Sequence, residues 1–180
     1  MNTTKRIVAA GLVAVVLTLI GVLGVAHAQS APMTDDQITR IKANCTSAKN
    51  TLNQLHASDA LLRVNRGQIY ESMSTKLMIR FNDRVSSNRL NADDLVTVTQ
   101  TYTATLTTFR LDYQAYEEQL SKALNIDCSK EPVAFYDAVA SSRTKRTQVH
   151  TDVVKLHQHI DDYKLTVDSF ELAFHAKGTN

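Results

Sequence analysis

Apolar residues that recur every three or four positions constrain this chain more than any other feature of its sequence. The first run follows Thr34, which is spaced with Gln37 as in a capping box at the start of a helix. Its members, separated by steps of 3, 4, 3, 4 and 3, are Ile38, Ile41, Cys45, Ala48, Leu52 and Leu55. This heptad spacing is typical of helices that pack along one another.

The seam changes character in the middle of this first helix. It passes through Asp59, Leu62 and Arg66, two of which are charged. It then resumes with wider steps at Tyr70, Met73, Leu77, Phe81 and Val85. We predict a first helix over residues 35–87, with Gly67 as the candidate position for a bend.

Two further stretches carry the same period. The seam of the second runs through Leu95, Val98, Tyr102, Leu106, Phe109, Tyr113, Tyr116, Leu120 and Leu124. The seam of the third runs through Phe135, Val139, Val149, Val153, Leu156, Ile160, Tyr163, Val167, Phe170 and Phe174. Pro132 suits the first position of a helix. We therefore predict helices over residues 92–125 and 132–176.

One segment of the second helix is ambiguous. Residues 96–105 alternate with a period of two and are rich in threonine and valine, which favour strands. No other segment offers a convincing strand partner, and the seam continues into a clear helix. We predict helix, and a strand within residues 95–108 would contradict it.

Glycine and proline are too scarce for a fold with many tight turns. After the first 25 residues the chain contains only Gly67, Gly178, Pro32 and Pro132, which disfavours β-sandwiches and βαβ folds. We predict an all-α fold, an elongated antiparallel three-helix bundle of coiled-coil type over residues 35–180. Residue n of the first helix should then face about residue 179−n of the second.

The N-terminus has the pattern of an export segment. Lys5 and Arg6 precede an uncharged apolar run over residues 7–25, and small residues follow at Ala26 and Ala28. Residues 1–28 are predicted to be either a cleaved signal peptide or an uncleaved N-terminal membrane anchor. Both alternatives place the rest of the chain outside the cytoplasm, secreted or tethered. In the second, the membrane is contacted only through residues 7–25, and residues 29–34 form a linker.

The two cysteines fit that compartment. Cys45 and Cys128 are the only thiols in the chain, and an even pair in an oxidising environment predicts a disulfide. The spacing lacks the CxxC of common metal or redox motifs. We expect the bond to hold the connection between the second and third helices to the base of the first.

Charge and motifs exclude several functions. Once Lys5 and Arg6 are set aside, eighteen basic residues face eighteen acidic ones, so a nucleic-acid partner is not expected. The chain lacks the HExxH, GxSxG, GxGxxG and P-loop signatures. We predict a protein that is not an enzyme, with no cofactor and no catalytic or metal site. The pairs His157/Asp161 and Glu171/His175 could each offer two metal ligands, but they are too far apart to share one ion.

A break of charged residues in the seams is the one candidate interaction site. We expect the helices to bring its members to one height; they are Asp59, Arg63, Arg66, Glu117, Glu118, Arg143 and Arg146. In one interpretation they form an internal polar layer that sets the helix register. In the other they form a recognition patch for an anionic group.

Residues 61–78 (LLRVNRGQIYESMSTKLM) and 128–146 (CSKEPVAFYDAVASSRTKR) resemble segments of an uncharacterised group of exported bacterial helical proteins. The resemblance implies export and a helical bundle, and it carries over no activity and no site residues. We predict a non-enzymatic exported bundle that acts by contact with an unknown protein or envelope component, as a spacer or interaction module. The alternative is a helical bundle that binds a small ligand or a metal.

Overall fold

A computed structural model describes residues 32–178, most of which are helical, with no strand among them. The helices are α1 (Asp35–Ala43), α2 (Cys45–Ser72), α3 (Ile79–Ser87), α4 (Asp93–Asn125) and α5 (Pro132–Gly178), and a π-helical segment (Met73–Met78) joins α2 to α3. The predicted signal or anchor segment, residues 1–28, lies outside the described residues, as does the first half of the linker. Within residues 32–178, no helix is both long and apolar enough to cross a membrane.

The predicted first helix begins and ends where expected, at Asp35 and Ser87, but it is irregular in two places. Thr34 caps its start. The backbone nitrogen of Gln37 donates to the Thr34 hydroxyl at 3.4 Å, and the backbone nitrogen of Thr34 donates to Gln37 Oε1 at 2.8 Å. A turn at Asn44 separates α1 from α2, and the π-helical segment separates α2 from α3. Gly67 lies inside α2, so the interruptions of the predicted helix fall elsewhere, at Asn44 and at the π-helical segment.

The π-helical segment changes which residues face the core. A π turn contains more residues than an α turn, so it rotates the side chains that follow it. The buried residues there are Tyr70, Ser74, Met78, Asn82 and Val85. The predicted seam position Leu77 is 48% exposed, so that prediction was wrong.

Helix α4 matches its predicted seam closely. Seven of the nine predicted positions are buried, and Val98 and Leu124 are partly buried. The threonine-rich segment is helical, as predicted. Its hydroxyls donate to carbonyl oxygens one turn earlier, for example Thr97 to Asp93 at 2.9 Å and Thr99 to Leu95 at 2.8 Å. These bonds satisfy the threonines within the helix.

Contacts between the helices define a helical bundle. Tyr116 contacts Asp59 and Thr99 contacts Asn82, so α4 runs antiparallel to the α2–α3 segment. Arg146 contacts Asp59 and Tyr163 contacts Asn82, so α5 runs parallel to that segment. The partner of Asp59 on α4 lies about one turn from the predicted position. On α5, Phe174 is 51% exposed, in contrast to its predicted seam position.

The predicted cysteine pair is at disulfide-bonding distance. Cys45 and Cys128 are joined, with α-carbons 5.5 Å apart and a sequence separation of 83. The bond holds the start of α2 against the connection between α4 and α5. Lys49 Nζ donates to the carbonyl oxygen of Ile126 at 3.0 Å and ties down the same connection. Closure of a loop this long is worth about 4.5 kcal/mol in the chain-entropy model.

Candidate functional site

A cleft of about 360 Å³ opens between α2, α4 and α5, and we call it the arginine cleft. The side chains that line it are Asp59, Leu62, Arg63, Arg66, Tyr70, Phe109, Tyr113, Tyr116, Arg146, Val149, His150, Val153 and His157. Three of them are arginines and one is a carboxylate. The others are mainly aromatic or aliphatic, so the cleft combines an apolar floor with a cationic rim.

The cleft lies between the two points at which α2 is buried against the rest of the bundle, Asp59 and Tyr70. Asp59 and Tyr70 are the only buried residues among the 28 of α2. They are 11 positions apart, about 16 Å along a helix. Between them Leu61, Leu62 and Val64 are each more than half exposed. Helix α2 therefore bridges from one contact point to the other and leaves space beneath it.

At the first contact point, Asp59 is held by two other helices. Arg146 donates to both carboxylate oxygens, from Nε at 2.8 Å and from Nη2 at 3.1 Å, and the Tyr116 hydroxyl donates at 2.8 Å. Burial by itself would raise the pKa of Asp59, but the hydrogen bonds from Arg146 and Tyr116 outweigh it and the pKa lies below its ordinary value. Burial and the bond to Asp59 raise the pKa of Tyr116. Asp59 is thus held as a carboxylate.

A second cluster of polar contacts lies next to the first. The His56 ring nitrogen Nε2 lies 2.8 Å from Glu117 Oε2, and the Tyr113 hydroxyl donates to Glu117 Oε1 at 2.6 Å. The guanidinium of Arg63 lies 5.1 Å from the centre of the Tyr113 ring, in cation–π geometry. Helices α2 and α4 are therefore linked by a charged network that includes an aromatic face.

The predicted charged break is only partly assembled. The structure brings Asp59 and Arg146 into direct contact. Glu117 belongs to the neighbouring polar cluster, in which it contacts His56 and Tyr113. Glu118 accepts from Gln114 at 3.1 Å on an exposed part of α4 and is not in this network. Among residues 32–176, the side chains of Arg66 and Arg143 have no hydrogen-bond or ion-pair partner. Arg66 lines the cleft, whereas Arg143 is exposed and does not.

At the second contact point, Tyr70 is fixed on three sides. Its hydroxyl lies 3.1 Å from Nε2 of His157, and its carbonyl oxygen accepts from the Tyr102 hydroxyl at 2.9 Å. Its ring packs edge-on against Phe109, with centroids 5.8 Å apart. Burial raises the pKa of Tyr70, so its phenol stays neutral at physiological pH. This contact closes the far end of the cleft.

Sequence reasoning missed several residues of the cleft. Tyr70, Tyr113 and Tyr116 were assigned to the seams as core residues, and His157 was considered as a metal ligand with Asp161. The sequence did contain a signal for the tyrosines, since they lie in the seams near the charged residues. The hydroxyl of a buried tyrosine needs a hydrogen-bond partner, and a charged side chain nearby can supply one. His175 lies 3.7 Å from Glu171 as a local ion pair. No group of three or more metal-binding side chains occurs within the part of the chain that the structure describes.

The opposite flank of α2 has a different character. A cavity of about 350 Å³ lies there between α2 and α4. Arg110 and Glu71, which line it, form an ion pair. Arg63 lines both spaces, and within residues 32–176 neither Arg63 nor Arg66 forms an ion pair. Of these two spaces, the arginine cleft is the one that also contains Arg66.

A buried acid outside the cleft is also informative. Asp152 of α5 is 0% exposed and interacts with Asp112 of α4, a second carboxyl group. Gln148 donates to Asp152 Oδ1 at 3.3 Å, whereas Oδ2 has no hydrogen-bond partner. Burial, followed by the interaction with Asp112, raises the pKa of Asp152. The α4–α5 contact therefore favours a protonated carboxyl group at this position.

Comparison with protein-family models, with curated proteins and with solved structures finds no match to this chain.

The arrangement in the cleft is suited to binding. It holds arginines that can pair with an anion and apolar surfaces that can contact a hydrophobic group.

Proposed function

We propose that this protein is an exported, non-enzymatic helical bundle that acts by contact with a protein or another component of the cell envelope. In this proposal residues 1–28 direct export or serve as a tether, and the helices form an elongated antiparallel three-helix bundle outside the cytoplasm. The leader pattern supports the location, and the Cys45–Cys128 pair agrees with it, since such bonds persist in oxidising compartments.

The observation that carries the contact role is the uncovered apolar surface of α2. Its exposed fractions are 67% for Leu61, 52% for Leu62, 52% for Val64 and 53% for Ile69. These residues lie within nine positions of one another on a single helix. Clustered exposed apolar side chains are typical of surfaces that bind another molecule. The middle of α2 is therefore the proposed contact surface.

Site-specific photo-crosslinking in the cells that produce the protein tests this role. A photoreactive residue at Leu61 or Val64 should give discrete adducts with an envelope component. The same residue at Thr107 or Lys122, exposed positions on α4, is the matched control. Equal adduct patterns from all four positions, or none from α2, would contradict the contact role. Digestion of intact cells by an added protease tests the location, since an exported domain is cleaved and a cytoplasmic one is protected.

A second candidate function is favoured by a separate observation. The arginine cleft is large enough for a small molecule, since ligand sites have volumes of about 300–1,000 Å³. A helical bundle that binds a small ligand is therefore the alternative. Native mass spectrometry of the exported protein distinguishes the two, because a resident ligand adds a defined mass that is lost on denaturation.

A further inference from the structure

We propose that the arginine cleft is a binding site for a small amphipathic anion, a carboxylate attached to an apolar chain. The juxtaposition that points to it is two arginines without acidic partners above a floor of aromatic and aliphatic side chains. The cleft would bind such a ligand whether or not the α2 surface contacts a macromolecule. The proposal goes beyond the contact role, because it assigns a chemical class of ligand to a specific site.

The charge in the cleft selects an anion. Arg63, Arg66 and Arg146 line it, and Asp59 is the only acid there. Asp59 is already neutralised by Arg146. Arg63 contacts the Tyr113 ring, and Arg66 has no ion-pair partner within residues 32–176. Two positive charges on the same stretch of α2 are thus left for a ligand, and an anion placed between them gains attraction from both.

The cleft itself shows how it holds a carboxylate. Arg146 donates hydrogen bonds to both carboxylate oxygens of Asp59, and the Tyr116 hydroxyl donates a third. A planar guanidinium matches a planar carboxylate in this two-point manner. Arg63 and Arg66 are three positions apart, so they lie on neighbouring parts of one helix face. They can present the same chemistry to a free carboxylate.

The floor of the cleft selects an apolar body. The apolar part of the lining consists of Leu62, Phe109, Val149 and Val153 with the rings of the tyrosines, and Phe109 and Tyr113 are buried. A small inorganic anion would leave these surfaces in contact with water. An apolar chain would cover them, and each methylene group removed from water favours binding. The combination of rim and floor therefore points to a molecule with both parts.

Calorimetric titration of the exported protein, purified with its disulfide intact and free of detergent, tests the proposal. The probes are decanoate, decanol and acetate. Decanoate should bind, decanol should bind at least about tenfold more weakly because it lacks the charge, and acetate should give no measurable binding because it lacks the chain. Equal binding of decanoate and decanol would overturn the proposal, and so would the absence of decanoate binding.

Variants locate the binding site. The double variant Arg63→Gln/Arg66→Gln should weaken decanoate binding at least about tenfold. Arg80→Gln, which removes an exposed arginine outside the cleft, is the matched control and should leave the affinity unchanged. If the double variant loses its helical circular dichroism, Leu62→Glu replaces it, because the new carboxylate would pair with the arginines and compete with the ligand. Unchanged affinity in a folded cleft variant would overturn the proposal, while the crosslinking result decides the contact role independently.

Discussion

The bundle contains two regions that pack in opposite ways. In the first, α3 and the π-helical segment interlock with α4 and α5; we call it the interlocked core. Its buried residues include Met78, Val85, Leu95, Tyr102, Leu106, Leu156 and Tyr163. In the second, the middle of α2 over residues 60–69, no residue is buried. The same helical period therefore produces a dry core in one place and a lined cleft in the other.

Polar groups show the physical basis of this difference. In the interlocked core, Asn82 donates to Thr99 at 2.8 Å and accepts from Tyr163 at 2.7 Å, so its amide is satisfied inside the protein. In the middle of α2, Arg66 occupies a seam position and Arg63 lies close by, and neither can be buried without a counter-charge. Both arginines stay exposed, and no residue between Asp59 and Tyr70 is buried. A satisfied polar group allows close packing, and an unpaired charge prevents it.

The largest contrast is expected from truncation of one leucine in each region. Leu156 is 0% exposed, and Leu156→Ala should lower the free energy of unfolding by about 2–5 kcal/mol because it leaves a cavity. Leu62 is 52% exposed, and Leu62→Ala should change it by less than about 0.5 kcal/mol. Urea denaturation measures both. Similar losses would show that the middle of α2 packs as tightly as the core.

Removal of the disulfide should have the next largest effect. Cys45→Ser/Cys128→Ser should lower the free energy of unfolding by about 2–4 kcal/mol, because the unfolded chain regains the freedom that the bond removes. The intact protein under reducing conditions should show a comparable loss. If the bond anchors only the first half of α2, hydrogen exchange should accelerate there before it does in the interlocked core. Uniform acceleration across the bundle would contradict that local role.

The contact at Asp59 should contribute less to the free energy of unfolding than the disulfide does. Asp59→Ala leaves Tyr116 without its acceptor and Arg146 without its counter-ion, but Arg146 is half exposed and can regain water. We expect a loss of about 1–2 kcal/mol in the free energy of unfolding. Arg66→Ala, in the same region, should cost less than about 0.5 kcal/mol. A neutral Asp59→Ala would show that this contact does not set the helix register.

Two buried carboxyl groups should give opposite responses to pH. The pKa of Asp152 is raised in the fold, so its protonated form is favoured, and stability should rise as the pH falls from neutral through that raised pKa toward about 4. The pKa of Asp59 is lowered, so its contribution is lost as the pH falls below its ordinary value of 3.8. Asp152→Asn should remove the first trend and Asp59→Asn should reduce the second. Thermal unfolding across pH 3–8 measures both.

Much of the helical framework could be predicted from the sequence. The ends of the first and second helices near residues 87 and 125, and the start of the third at Pro132, agree with the structure. These features depend on neighbours three or four positions apart and on caps, which are local. The height at which Arg146 meets Asp59 also followed from helix lengths. The pairing of Cys45 with Cys128 followed from their number.

The rest required the tertiary structure. The π-helical segment moves Leu77 out of the core and Ser74 in, and no local spacing records that rotation. The burial of Asp152 against Asp112 depends on how closely α5 packs on α4. The sequence alone determined the helices and placed charges in a seam. Only packing decided that Arg146 and Tyr116 would donate hydrogen bonds to the Asp59 carboxylate, and that Arg63 and Arg66 would line a cleft. The reason is that the distance between helices depends on contacts between side chains far apart in the chain.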